Sequence, residues 1–281
     1  MTQLRISLFG GARCVWQGEE RPLRLGRPGQ LLLGFLALNR GRTHSRDRLA
    51  ELLWGEEAGE HSRQRLNTAL WRLRQSLAPP GSATPRHAAA ELMTGTAAGE
   101  VGLGAGPHCW VDVEAFTAAV RAATRESPAR AAPATAAALE SGLDLYAGEL
   151  MAGLDEDWLE LERRHLAELQ QAALEWLLRH RAASGRAEAA VEAARRLLRQ
   201  DPLREDVHRE LMLLHEALGQ RGQALRQYDY CRDVLASELG VTPMPETEAL
   251  HRRLLQASPR PGAAGTTALP TDRALLVAML G

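Results

Sequence analysis

The residues best placed to do chemistry lie between Ser62 and Leu77, and the chemistry they suit is recognition rather than catalysis. At about 100° per residue along a helix, Leu66, Leu70, Leu73 and Leu77 fall in one narrow stripe with Ala69 beside it. Gln64, Thr68, Trp71 and Gln75 take the opposite face, flanked by Arg63, Asn67, Arg72 and Arg74, and the stretch holds no acidic residue. An apolar keel backed by such a face can enter the major groove of DNA. Arg can make bidentate contacts to guanine and Asn or Gln to adenine, a Thr methyl can meet a thymine methyl, and further arginines neutralise phosphates. The plain alternative is a solvated helix face. Trp71 stays open between stacking on a sugar or base methyl and packing against the preceding helix.

Rival chemistries find little support. The nine histidines form no H-x-x-x-H and no His/Cys cluster, so neither metal nor cofactor is expected. Gly102-Leu-Gly-Ala-Gly-Pro107 lacks the G-x-G-x-x-G spacing of a phosphate loop. Asp155, Glu156, Asp157, Glu160 and Glu162 read as the acidic start of a solvated helix, favoured by its positive dipole end. With no nucleophile elbow, P-loop or kinase signature, the chain does not read as an enzyme.

The elements that must position the 62–77 helix can be read on both sides of it. Leu4, Ile6 and Leu8 alternate with polar residues, and Arg13–Trp16 and Leu23–Leu25 give two further short strands, so the chain opens on a small antiparallel sheet. One helix is expected from about Pro28 to Asn39 and a second from about Arg46 to Trp54, with Ser45 as its N-cap. Ser62 is the expected cap of the third, which ends at Pro79-Pro80-Gly81. Glu91–Thr96 and Glu100–Leu103 then suggest a hairpin. Sheet, three helices and hairpin, in that order, make a winged helix-turn-helix with the third helix in the groove. Thr43, Ser45 and Arg46, at the entry to the second helix, are candidates to hold a phosphate, with simple N-capping equally open for Ser45. Arg27, ahead of the first helix, is another phosphate candidate, and Thr96 is the candidate contact from the wing.

From Val111 onward the periodicity is helical throughout, with helices expected near 112–125, 133–146, 156–183, 187–200, 204–218, 221–238 and 246–256. Ser184-Gly-Arg-Ala-Glu-Ala-Ala190 and Leu218-Gly-Gln-Arg-Gly-Gln-Ala224 align at a spacing of 34 residues, the tetratricopeptide period. Tyr228, Tyr230 and Arg232 are candidates for a partner-binding face. Residues after 257 have the composition of a flexible tail.

At 281 residues two domains are expected, at 1–108 and 109–257, with 258–281 as the tail. Net charge is −1, but residues 1–110 carry 14 Arg against 9 acids, and residues 111–281 carry 20 against 26. A front half that meets a polyanion and a rear half that does not fits that asymmetry. The chain has no Lys, which a GC-rich coding bias explains better than function. Three cysteines far apart suit a reducing compartment. The start reads as a strand rather than a signal peptide, and no apolar run approaches the roughly 18 residues of a membrane span. A cytoplasmic location without membrane contact is the expectation.

These segments resemble the SARP family (Streptomyces antibiotic regulatory proteins), which joins an OmpR/PhoB-type winged helix to a bacterial transcriptional activation domain of tetratricopeptide type. Ser45-Arg-Asp-Arg-Leu-Ala-Glu-Leu-Leu-Trp-Gly55 is similar to the family's second helix, and Asn67-Thr-Ala-Leu-Trp-Arg-Leu-Arg-Gln-Ser-Leu77 to its recognition helix. Leu143-Asp-Leu-Tyr-Ala-Gly-Glu-Leu150 resembles a turn early in the activation domain. Pro202-Leu-Arg-Glu-Asp-Val-His-Arg-Glu-Leu-Met212, continuing to Glu238-Leu-Gly-Val-Thr-Pro-Met-Pro-Glu246, resembles the family's most specific run. The chain departs where many members carry Gly-Tyr near the wing tip, having Thr94-Gly-Thr-Ala-Ala-Gly99. It reads as the family's short form, without the ATPase or sensor domains of some members. The resemblance implies an activator that binds direct repeats in promoter DNA near a −35 element and recruits RNA polymerase through its sigma factor, with a homodimer as a further candidate. It also implies control of secondary-metabolite genes. The competing reading is a helical-repeat adaptor whose winged helix binds protein, although an adaptor would not need a cationic third helix.

Overall fold

The structure is a computed structural model that describes residues 4–55, 60–79, 92–95 and 99–256. Strands β1 (Leu4–Ser7), β2 (Arg13–Trp16) and β3 (Glu19–Arg21) form an antiparallel meander. Gln17 and Gly18 both have positive φ, 48° and 95°, which closes β2 on β3 with a two-residue turn of the twist that hairpins favour. The ladder therefore continues at once from Trp16 to Glu19, and the third strand is Glu19–Arg21 rather than the expected Leu23–Leu25. Pro22, which has no N–H to give to a ladder, ends that strand.

Helices α1 (Arg27–Leu38), α2 (Arg46–Trp54) and α3 (Glu60–Leu77) follow, with the short strand β4 (Thr43–His44) between the first two. Strands β5 (Met93–Gly95) and β6 (Val101–Leu103) form the hairpin, and β4 pairs with β6 to make a three-stranded sheet of order β4-β6-β5. At Gly102 a Cβ would lie 2.2 Å from the Arg42 carbonyl oxygen, so β4 and β6 approach this closely only over a glycine. The keel of α3 is as its period predicts: Leu66, Ala69, Leu70, Leu73 and Leu77 are all buried against α1 and α2. Burying each leucine contributes about 2 kcal/mol. Ser62 does not cap this helix. The helix begins at Glu60, and Ser62 is buried at 3% exposure, one turn before Leu66 on the inward face.

Strand β7 (Cys109–Val111), unanticipated from the sequence, pairs in parallel with β1, Leu4 opposite Cys109 and Ile6 opposite Val111, giving a first sheet of order β3-β2-β1-β7. It runs directly into α4 (Asp112–Thr124), which is followed by α5 (Pro133–Asp144) and α6 (Asp157–Ala183). These helices are sewn to the sheet. The Asp112 carboxylate, 2% exposed, accepts hydrogen bonds from the Leu8 N–H at 2.8 Å and the Phe9 N–H at 3.1 Å. Burial pushes the Asp112 carboxyl up from its ordinary value, and those backbone donors oppose the shift. Phe9 packs on Phe116 and Tyr146, and Met151 N–H donates to the Leu8 carbonyl at 2.8 Å. Arg163 of α6 donates to the carbonyls of Leu150 and Leu154, pinning the loop that meets β1. Residues Met1–Arg186 accordingly form one compact unit.

The second unit, Ala187–Gly281, contains α7 (Ala187–Gln200), α8 (Glu205–Ala217), α9 (Arg221–Leu239) and α10 (Pro245–Gln256). Its helices pack on their chain neighbours, with Met212, Ala224, Tyr228, Leu250 and Leu254 as one buried cluster. The 34-residue spacing recurs in the backbone. Gly185 and Gly219 take φ of 70° and 71°, in the left-handed region where glycine is unstrained. The terminating bonds match: Ser184 N–H to His180 O and Arg186 N–H to Arg181 O in one place, Leu218 N–H to Leu214 O and Gln220 N–H to His215 O in the other. Ala190 and Ala224 are both fully buried.

Candidate nucleic-acid interface

The face of α3 opposite its keel is exposed along its length: Arg63, Gln64, Arg65, Asn67, Thr68, Trp71, Arg72 and Gln75 all reach solvent, and Arg74 is half-buried at the edge. Arg63 donates to the Asp47 carboxylate of α2 at 3.1 Å. Arg65 lies over the Trp54 ring at 4.9 Å, so the aromatic that packs at the end of α2 is Trp54. Trp71 is 60% exposed and packs outward.

Arg46 ties three elements together. Its Nη1 donates to Asn67 Oδ1 on α3, and its Nε donates to the Gly99 carbonyl beside the hairpin at 3.1 Å. Because guanidinium only donates, the Asn67 oxygen must face Arg46, which leaves the Asn67 amide N–H groups turned away. Thr68 Oγ1–H is returned to the Gln64 carbonyl at 3.2 Å, leaving its methyl and oxygen lone pairs for a partner.

Ser45 caps α2 as expected, its Oγ accepting from Arg48 N–H at 3.2 Å. Thr43 donates its hydroxyl to Glu100 at 2.7 Å, so that donor is committed to a carboxylate. His44, against the Phe35 ring at 4.8 Å, is held below its ordinary pKa by burial, then by Arg48 and Arg42. Arg27 lies outside this group: its guanidinium donates to the Asp155 carbonyl and, at 3.0 Å, to the Glu156 carboxylate at the entry to α6. Thr96 and the wing tip lie outside the described residues. The structure thus brings Ser45, Arg46, Arg63, Gln64, Asn67, Thr68, Trp71 and Arg72 onto α2 and α3, and gives Arg27 a structural partner instead.

Sequence reasoning missed one part of this surface. Arg21, Pro22 and Arg24 face Trp71, Arg72, Gln75, Ser76 and Ala78 across a cleft of about 450 Å³. The only signal in the sequence was a pair of arginines on either side of Pro22 and Leu23, Arg21 in a stretch read as a turn and Arg24 in one read as a strand. Among the partner-face candidates, Tyr228 is corrected to a core residue. It is buried, stacked on His251 at 3.7 Å, and bonded through its hydroxyl to Glu248 at 2.6 Å. Tyr230 is exposed, and Arg232 pairs with Asp229 and Asp233. Among the described residues no group of His, Cys, Asp and Glu could hold a metal ion, and no helix is long and apolar enough to cross a membrane.

Comparison with known proteins now gives the surface its setting. Residues 111–255 match the bacterial transcriptional activator domain family, and residues 19–88 match the family of the C-terminal domain of transcriptional regulatory proteins. Regulatory protein AfsR of Streptomyces coelicolor is 32% identical over 257 residues, which cover 91% of this chain and 24% of that protein. The chain belongs to the SARP family. Its winged helix and activator domain lie in the order that SARP regulators have, and it spans about a quarter of the length of the AfsR proteins it matches. MoaR1 of Mycobacterium tuberculosis, a transcriptional regulatory protein, is 26% identical over 258 residues, 91% of this chain and 80% of that one. The solved structure of Mycobacterium tuberculosis EmbR in complex with a low affinity phosphopeptide has the same fold, with a TM-score of 0.72 at 23% identity over 91% of this chain and 65% of that one. This SARP chain therefore carries a bacterial transcriptional activator domain, and the relatives it matches are regulatory proteins.

Proposed function

We propose that the protein is a sequence-specific DNA-binding activator of transcription, in which residues 1–108 read DNA and residues 109–257 act on the transcription machinery. The carrying observation is the division of α3 into a buried leucine keel and an exposed, acid-free face of Gln64, Asn67, Thr68, Trp71 and Arg72. The bonds inside that face sharpen the reading. Asn67 offers donors only, suited to a purine N7 or a phosphate. Gln64 keeps a free amide for adenine, and Thr68 offers its methyl to thymine. Ser45, Arg46 and Arg63 line the path of the backbone. The helical region contacts RNA polymerase through its sigma factor or pairs two copies on direct repeats, and the protein acts in the cytoplasm on secondary-metabolite promoters. These last assignments rest on family membership.

The test is selection of duplexes from a random pool, followed by anisotropy titrations against salt. The enriched duplex is expected to bind with a steep salt dependence. Arg72→Ala and Gln64→Ala are each expected to lose about 1–3 kcal/mol of binding while the melting temperature stays put. No enrichment, or binding indifferent to salt and to both substitutions, overturns the reading in favour of a protein-binding adaptor.

A further inference from the structure

The cleft beside the C-terminal half of α3 is built from two elements that the winged-helix reading does not join. Arg21 and Pro22 close the β3 edge, Arg24 follows, and Trp71, Arg72 and Gln75 face them from α3. The lining contains three arginines and no acid. Several other arginines of this unit have partners: Arg27 with Glu156, Arg40 with Glu114, Arg46 with Asn67, Arg63 with Asp47, Arg163 with Glu149. The guanidinium groups of Arg21, Arg24 and Arg72 make no hydrogen bond or ion pair among the described residues. Three converging cations without counter-charge repel one another, an arrangement that an anion relieves. Helix polarity does not supply the attraction here, because the C-terminal end of a helix is its negative end. Side chains from a second element are needed for an anion to sit there, and Arg21 and Arg24 are such side chains.

We infer that this cleft is a phosphate clamp for the DNA strand lying along α3: Arg21, Arg24 and Arg72 hold one backbone phosphate, and Trp71 packs on the adjoining deoxyribose. The assignment rests on the DNA reading above and extends the contact surface from the helix-turn-helix to the N-terminal sheet. DNA is the occupant because Trp71, Arg72 and Gln75 belong both to the cleft and to the exposed face of α3. A strand tracking that face passes the mouth of the cleft. The clamp fixes register by gripping the backbone and leaves base reading to Gln64, Asn67 and Thr68.

The experiment compares wild type with Arg21→Ala/Arg24→Ala on the duplex enriched from the random pool. A matched set of that duplex carries one uncharged methylphosphonate linkage at each position in turn. The double variant is expected to bind at least tenfold more weakly, with the slope of log K against log salt reduced by about 0.9, the loss of one phosphate contact. One neutral linkage should weaken wild type by a similar factor and the double variant no further. Arg24→Ala alone, at an exposed position, carries the same test if the double variant does not fold.

Wild-type affinity and slope in the variant overturn the clamp. So does a loss that no single linkage reproduces. A phosphoserine peptide that binds wild type but not the variant, with duplex affinity unchanged in both, overturns it in favour of a peptide site. If wild type binds no duplex at all, the DNA reading falls and the clamp falls with it. An unaffected variant of a DNA-binding wild type removes the clamp alone.

Discussion

The two compact units are built on opposite principles. In the first, the decisive ties span about a hundred residues or more: Leu4 to Cys109 across a parallel pair, Leu8 and Phe9 to Asp112, Phe9 to Leu150, Arg27 to Glu156. In the second, each helix packs on its chain neighbours, and the cap at Gly219 repeats the one found 34 residues earlier at Gly185, the end of the first unit. The first unit is a closed object whose parts depend on distant sequence. The second is closer to a stack, with stability that accumulates from one interface to the next. Helix α3 therefore stands in a unit that takes in about half of residues 109–257.

The sharpest way to break this contrast is truncation. A chain ending at residue 108 loses β7, Asp112 and Phe116 and is expected not to fold, while one ending at Arg186 should melt cooperatively. A dispersed NMR spectrum from the 1–108 fragment would sink the idea. Next in size is Asp112→Ala, which leaves the Leu8 and Phe9 N–H groups buried without acceptors and should cost about 3 kcal/mol in denaturant titration. A change under about 1 kcal/mol would mean the seam is not tied there.

Smaller effects probe the stack. Gly185→Ala and Gly219→Ala each force alanine into the left-handed region, at about 1–2 kcal/mol. The repeat reading requires the two losses to be alike, and a clearly unequal pair would show that the helical pairs are not equivalent. The smallest effect is a pH dependence at His208, whose ring is fully buried. Its Nε2 meets the Pro202 carbonyl at 2.9 Å, so Nε2 carries the hydrogen and Nδ1 accepts from the Gln227 amide. Burial holds the His208 pKa below its ordinary value, so the folded state binds fewer protons than the unfolded chain. Stability is then present above the ordinary histidine pKa and lost as pH falls through it toward the lowered folded value. Thermal melts between pH 7 and 5 should show that loss in wild type and less of it in His208→Gln.

What the sequence made legible follows from period. The leucine stripe of α3, the Ser45 cap and the seven later helices, all within two residues of their expected ends, are written in local patterns. What it did not reveal depends on pairing. Strands β4 and β7 are two and three residues long and exist because a distant partner holds them. Glu19–Arg21 is a strand by virtue of a two-residue turn, against the apolar pull of Leu23 and Leu25. The polar site was legible as a face but not as a network. Nothing local says that Arg46 would take the Asn67 oxygen, that Thr43 would give its hydroxyl to Glu100, or that Arg27 would turn to Glu156. The cleft at Arg21 and Arg24 needed the tertiary fold to appear at all.

The pairing of β1 also sets a schedule. Ribosomes deliver the amino end first, at roughly 5–20 residues per second, so Leu4 and Ile6 emerge on the order of ten seconds before the Cys109–Val111 strand that pairs with them. During that interval the β1–β2–β3 meander exists with one side of β1 unpaired, an open template for a neighbouring nascent chain. Slowing translation between Arg21 and Cys109 should therefore lower the yield of soluble protein, whereas the same delay placed after Arg186 should not.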